Sequence, residues 1–225
     1  MTTGADRKLI FLHIPKTAGS TLRKIIYEQY HADETLKCYY HKQGISLREA
    51  LDDMKAVSKE QAARVKIIFG HIGFGVHEHL PWSCSYFTIL RDPVDRVISG
   101  YYHILRDDSH RYQAEVQRMS LKEYVSSDLL KSEAAQVNAV NALDNGQTRL
   151  LSGSLVETEL SGGAVGYGPS SEEMLERAKK NIKENFVAVG LLERFDETLM
   201  LLKKLLGWSS TYYVRANVGW NRRSR

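Results

Sequence analysis

Phe11-Leu12-His13-Ile14-Pro15-Lys16-Thr17-Ala18-Gly19-Ser20-Thr21-Leu22 is the stretch whose reading decides the fold. Before it, Lys8-Leu9-Ile10-Phe11-Leu12 is a short apolar run of the kind a buried strand requires. After it, residues 20–30 predict a helix, with Leu22, Ile25 and Ile26 spaced for one buried face. The turn between them holds Pro15, Gly19 and the hydroxyls of Thr17, Ser20 and Thr21. A strand, a tight loop and a helix aim backbone N–H groups at an anion, and the helix dipole adds to the attraction. Gly19 is expected to let the backbone approach a ligand closely, and Lys16 brings a full positive charge. Lys16, Thr17, Ala18, Gly19, Ser20 and Thr21 therefore form the predicted phosphate cradle. It is not a G-x-x-x-x-G-K-[ST] loop, because Lys16 stands at the start of the turn rather than at its end.

Outward from this stretch, residues 65–69, 86–90 and 186–191 are further apolar runs that predict strands. The first ends at Gly70-His71 and the second at Arg91-Asp92-Pro93. Asp92 and Pro93 suit the start of a helix through about residue 105, with Val97, Ile98, Tyr101 and Ile104 on one face. Helical spacing also marks 46–55, 58–64, 121–130, 133–142, 170–185 and 195–206, the last ended by Gly207. Residues 31–43 read as irregular, and the Gly- and Ser-rich stretch 152–169 as a mobile surface loop. Strands that alternate with helices imply an α/β architecture with a mostly parallel sheet. Ligands of such sheets sit at the C-terminal strand ends, which brings Lys16, His71 and Arg91 to one edge.

Composition sets the outer bounds. A chain of 225 residues, 43% hydrophobic and 26% charged, is expected to be one domain over 1–225 with a real core. The net charge of +4 fits an anionic ligand and an ordinary solvated surface equally well, and does not argue for nucleic acid. Cys38 and Cys84 make neither a disulfide framework nor a metal motif, so free thiols in a reducing compartment are expected. No secretory pattern or membrane-length apolar run is visible, so the expectation is a soluble cytoplasmic protein. His77-Glu78-His79 with His71 matches no metal-site spacing, and no metal is expected.

Three motifs carry a resemblance: 13–21, Gly70-His71, and the run from Leu90-Arg91-Asp92-Pro93 through Ser99 to Tyr102. Weaker likeness continues through 147–151 and 189–196. On these residues the sequence resembles the sulfotransferases that use 3′-phosphoadenosine 5′-phosphosulfate, in particular the branch with heparan sulfate 2-O-sulfotransferase and its bacterial relatives. The resemblance implies a P-loop-like three-layer α/β/α fold and sulfuryl transfer to a hydroxyl acceptor, a saccharide by analogy. It implies that the 16–21 loop takes the 5′-phosphosulfate, that Arg91 and Ser99 take the 3′-phosphate, and that His71 is the general base. Arg222 or Arg223 in the basic C-terminal segment would close over the adenosine. In-line transfer needs the leaving phosphate's charge stabilised, by Lys16, and the acceptor's proton removed, by His71.

Each residue has a plainer reading. Lys16 can be a surface lysine, Arg91 an ion-pair partner of Asp92 or Asp95, Ser99 a small helix residue, and His71 a structural imidazole. His13 can orient Lys16, touch the acceptor or simply pack, and Gln147 and Arg149 can line the acceptor site or be structural. Two other functions compete: a P-loop kinase or hydrolase, and a non-catalytic binder of nucleotide or polyanion. The missing G-K-[ST] and the lack of an obvious Mg²⁺-binding Asp after a strand speak against the first.

Overall fold

The computed structural model describes residues 7–40, 44–127, 145–162, 170–209 and 212–213. Strand β1 (Lys8–Leu12) is the middle strand of a five-stranded sheet. The others are β2 (Thr35–Cys38), β3 (Ile67–Gly70), β4 (Cys84–Leu90) and β5 (Phe186–Leu191), in the order β2-β3-β1-β4-β5. Every pairing is parallel. Leu12 is in register with Gly70 of β3, and Phe11 with Phe87 of β4. The C-terminal ends of β3, β1 and β4 therefore lie side by side.

Parallel strands buried on both faces carry apolar residues continuously, and side-chain alternation sorts those residues into two cores. Ile10, Leu12, Ile68 and Tyr86 point to one face. There they meet Leu51 and Met54 of α2 (Leu47–Lys55), Leu150 and Leu151 of α7 (Gly146–Ser152), and Ala178 of α9 (Glu172–Asn185). Phe11, Ile67, Phe69, Phe87 and Ile89 point to the other. There they meet Leu22, Ile25 and Ile26 of α1 (Gly19–Gln29) and Leu199 and Leu202 of α10 (Phe195–Leu206). The result is the three-layer α/β/α arrangement. Trp208 closes the second core: its ring stands edge-on to Phe87 at 6.1 Å, and its Nε1 donates to Tyr30 Oη at 3.1 Å. The Ser209 N–H donates to Gln29 Oε1 at 2.8 Å, so the end of α1 is fastened by residues far along the chain.

Three local expectations need correction. The stretch 31–43 is not wholly irregular, because residues 35–38 form β2 on the outer side of β3. Only four residues long, β2 takes its structure from pairing rather than from apolar content. The stretch 152–169 is not a loop at its start: α8 (Ser154–Leu160) buries Leu155 and Val156 in the first core, and residues 163–169 lie outside the described set. Helix α4 (Pro93–Arg106) keeps Val97 half-buried against the Tyr101 and Ile104 cluster, as expected, but Ile98 is not part of that cluster. The helix's buried residues are Arg96, Ser99, Gly100, Tyr101 and Ile104. Tyr101 and Ile104 pack with Val116 of α5 (Gln113–Val116) and Tyr124 of α6 (Leu121–Ser126). The turn carrying Arg96 and Ser99 faces the loop after β1. The remaining helix, α3 (Lys59–Arg64), is capped by Ser58 and leads into β3. The helices expected over 121–130 and 133–142 are described only as far as Ser126.

Candidate active site

The site begins where β1 stops. Thr88 of β4 donates its hydroxyl to the Leu12 carbonyl at 2.7 Å, and the His13 N–H donates to the Gly70 carbonyl at 3.0 Å. These two bonds hold the first residue of the loop between its neighbouring strands. The loop then turns through two left-handed residues that are not glycine, Lys16 (φ 72°) and Ala18 (φ 64°). L-residues adopt this conformation at a cost of about 1–2 kcal/mol each. Such strain persists only where its surroundings fix it, and it gathers at functional sites. Thr17, between them, is fully buried and donates its hydroxyl to the Ile14 carbonyl at 2.8 Å. Its side chain therefore braces the loop from inside and is not aimed at a ligand. Helix α1 starts at once from Ala18, with no side-chain cap and no acidic residue in its first turn. Ser20 is half-buried there and Thr21 is buried.

Gly19 has a role in packing that the sequence did not suggest. A Cβ at this position would lie 1.7 Å from His13 Nε2, so the missing side chain makes room for an imidazole beneath the start of α1. The His13 ring stacks on Phe11 at 5.4 Å, and its Nδ1 is 3.2 Å from Tyr39 Oη. His71 follows directly on β3, and its ring stands 4.5 Å from that of His13 and 5.0 Å from that of Tyr39. Burial raises the Tyr39 phenol above its ordinary range, partly offset by a hydrogen bond with Arg23, so it stays protonated at neutral pH. Two imidazoles and a phenol thus pack at the ends of β1, β2 and β3. His71 remains partly exposed at their rim, while His13 is buried.

On the other side of the loop stands Arg91, the first residue past β4. Its Nη1 donates to the Lys16 carbonyl at 3.0 Å, joining two parts of the chain 75 residues apart. Arg96 approaches from the first turns of α4, with its Nη1 at 3.5 Å from the Pro15 carbonyl. Arg96 is only 3% exposed. Burial, and then the neighbouring charge of Arg91, push its guanidinium down to about 10, so it is still a cation at neutral pH. Ser99 lies one turn further along the same buried face. Two guanidiniums set against the Pro15 and Lys16 carbonyls, beside an uncapped helix start, make a field that suits an anion with several charged oxygens.

The predicted residues 16–21, His71, Arg91 and Ser99 are therefore gathered at one sheet edge, and Arg222 lies outside the described residues. Arg96 and Tyr39 belong to the same edge and were not foreseen. The spacing of Arg96, three residues before Ser99, could have suggested a shared helix face. Gln147 does not line an open acceptor site, because its amide is spent on the Arg91 backbone. Within the His77-Glu78-His79 run, His77 is likewise committed elsewhere: its Nδ1 is 2.9 Å from Tyr86 Oη, and burial holds that imidazole below its ordinary range. Among the described residues, no three His, Cys, Asp or Glu side chains converge as metal ligands.

Comparison with known proteins gives this edge a family. The profile described as "Sulfotransferase family" matches residues 1–148, well over half of the chain and the whole of the edge just described. The chain belongs to the sulfotransferase family. Among relatives of this chain, heparan sulfate 2-O-sulfotransferase 1 from Pongo abelii is 22% identical over 212 residues, covering 89% of this chain and 55% of the relative. The Xenopus laevis protein of the same name is 23% identical over the same coverage. Uronyl 2-sulfotransferase from Homo sapiens is 28% identical over 121 residues, covering 54% of this chain and 28% of the relative. The chain thus spans about half the length of the heparan sulfate 2-O-sulfotransferase relatives it matches. Among solved structures, mouse sulfotransferase SULT7A1 complexed with PAP is similar at 15% identity and a TM-score of 0.33, covering 81% of this chain and 70% of that one.

Proposed function

We propose that this sulfotransferase moves the sulfuryl group of 3′-phosphoadenosine 5′-phosphosulfate to a hydroxyl of a saccharide acceptor. The observation that carries this reading is the hydrogen bond from Arg91 to the Lys16 carbonyl. It joins the loop suited to a 5′-phosphosulfate to the segment suited to a 3′-phosphate, as one doubly anionic nucleotide requires. The nucleotide supplies the activated sulfuryl group; the rest falls to the chain.

Lys16 and the backbone N–H groups at the start of α1 offset the charge that gathers on the leaving phosphate. Thr17 and the left-handed backbone at residues 16 and 18 keep that cradle formed before a ligand arrives. Arg91 offers a planar fork to the 3′-phosphate and Ser99 a hydroxyl, with buried Arg96 adding charge behind them. His71 takes the proton of the acceptor hydroxyl, and the packed rings of His13 and Tyr39 fix its direction. Arg222 closes over the adenosine. The saccharide class rests on the names of the relatives. Free thiols at Cys38 and Cys84 suit a reducing, cytoplasmic setting.

Titration calorimetry with adenosine 3′,5′-bisphosphate, ATP and AMP tests the donor assignment. The bisphosphate should bind most tightly, and a preference for ATP would replace this reading with a kinase or hydrolase. A screen of saccharide acceptors with labelled donor then tests transfer. His71→Ala should bind the bisphosphate as the wild type does and lose transfer by about 10²–10⁴-fold. Undiminished turnover in that variant would remove His71 from the reaction.

A further inference from the structure

Gln147 makes a two-point contact with a single residue of the proposed site. Its Oε1 accepts the Arg91 backbone N–H at 2.9 Å, and its Nε2 donates to the Arg91 carbonyl at 2.8 Å. Arg91 is the first residue past β4, whose pairing with β5 ends at Leu90 opposite Leu191. The side-chain amide therefore stands in for a strand neighbour and continues the sheet's hydrogen bonding by one residue. Only a primary amide of this length presents a donor and an acceptor in that spacing. A carboxylate would set a second acceptor against the Arg91 carbonyl.

The clamp is mounted on a rigid support. Helix α7, which carries Gln147, is held to the segment after β3 by the Phe74 N–H, which donates to the Leu150 carbonyl at 2.7 Å. It is held to α9 by Asn181 Nδ2, which donates to the Leu151 carbonyl at 2.8 Å. From α7 a continuous hydrogen-bond path runs through Gln147 and the Arg91 backbone to Arg91 Nη1 and the Lys16 carbonyl.

We infer that Gln147 is the positioning residue that aims Arg91 at the nucleotide's 3′-phosphate, and so sets the preference for a 3′-phosphorylated ligand without touching it. This deepens the function proposed above and rests on it. With the Arg91 backbone fixed, the guanidinium spends little conformational freedom when it meets an anion. With the clamp gone, Arg91 must be ordered at the moment of binding.

The experiment measures affinity for adenosine 3′,5′-bisphosphate and for AMP in the wild type, Gln147→Leu, Gln147→Glu, Arg91→Ala and the Arg91→Ala/Gln147→Leu double variant. Amide exchange at Arg91 is followed in parallel without ligand. Gln147→Leu should lower the bisphosphate-to-AMP preference by about tenfold, the scale of one or two lost hydrogen bonds, with AMP affinity unchanged. Gln147→Glu, which keeps the side chain's size and polarity, should lose preference in the same direction. In the Arg91→Ala background the Gln147 change should add nothing. The Arg91 amide should exchange faster in Gln147→Leu. Equal losses for both ligands, an unchanged preference, or unaltered exchange at Arg91 would overturn the assignment. A wild type that binds AMP as well as the bisphosphate would instead overturn the nucleotide reading itself, and the exchange measurement would still report on the clamp.

Discussion

Helices α1 and α4 both begin at the C-terminal end of a central strand, one after β1 and one after β4, yet they begin in opposite ways. Helix α4 completes its own start: Asp92 accepts the Asp95 N–H at 2.9 Å, Pro93 sets the first turn, and Asp95 adds negative charge to it. Helix α1 has none of these devices. It starts from a left-handed Ala18, with no side-chain cap and no acid in its first turn, and with Gly19 pressed against His13. One helix start is finished internally and the other is kept electropositive. On the proposed reading, the difference marks which of the two receives an anion.

Substitutions at the two starts should therefore fail differently. The largest effect is expected at Gly19→Ala. The new Cβ meets the His13 ring, and the start of α1 must move, at about 1–3 kcal/mol for an overpacked site. Thermal unfolding should fall and bisphosphate affinity should fall with it; a variant that is less stable but binds normally would break the link between this packing and the cradle. Asp92→Ala should come next, costing about 1 kcal/mol of stability as a lost helix cap. Bisphosphate affinity should barely change, because that cap serves α4 alone, and a large loss of binding would erase the contrast between the two helices. Ala18→Gly should have the smallest effect. Relief of the left-handed backbone is offset by glycine's greater freedom when unfolded, leaving a stabilisation of about 1 kcal/mol or less. A marked drop in melting temperature would mean that the Ala18 methyl packs more tightly than its surroundings indicate.

The contrast between the two starts also explains what could be read from the sequence. The β1–loop–α1 unit and the β4–α4 junction are local patterns, and their residues state them directly: an apolar run, a turn, then helical spacing or an Asp-Pro cap. The alternation of such units led to the parallel sheet, and the strand ends led to Lys16, His71 and Arg91. The features that escaped depend on distant neighbours. Strand β2 exists because Thr35–Cys38 pair with β3, where Gly70 leaves room for the Cys38 carbonyl that a Cβ would meet at 1.8 Å. Helix α8 hides among glycines and serines, and only the first core shows that Leu155 and Val156 outweigh them. Arg96 looks like a surface arginine until the loop carbonyls appear beside it. Gln147 finds its partner 56 residues back along the chain.

The bond between Trp208 and Tyr30 spans 178 residues. During synthesis, residue 30 leaves the ribosome long before residue 208, so the apolar flank of α1 must wait with part of its cover still unmade. Domains of this kind are vulnerable to aggregation in that interval. Assembly of the cradle's helix is thus completed by an aromatic side chain made long after it.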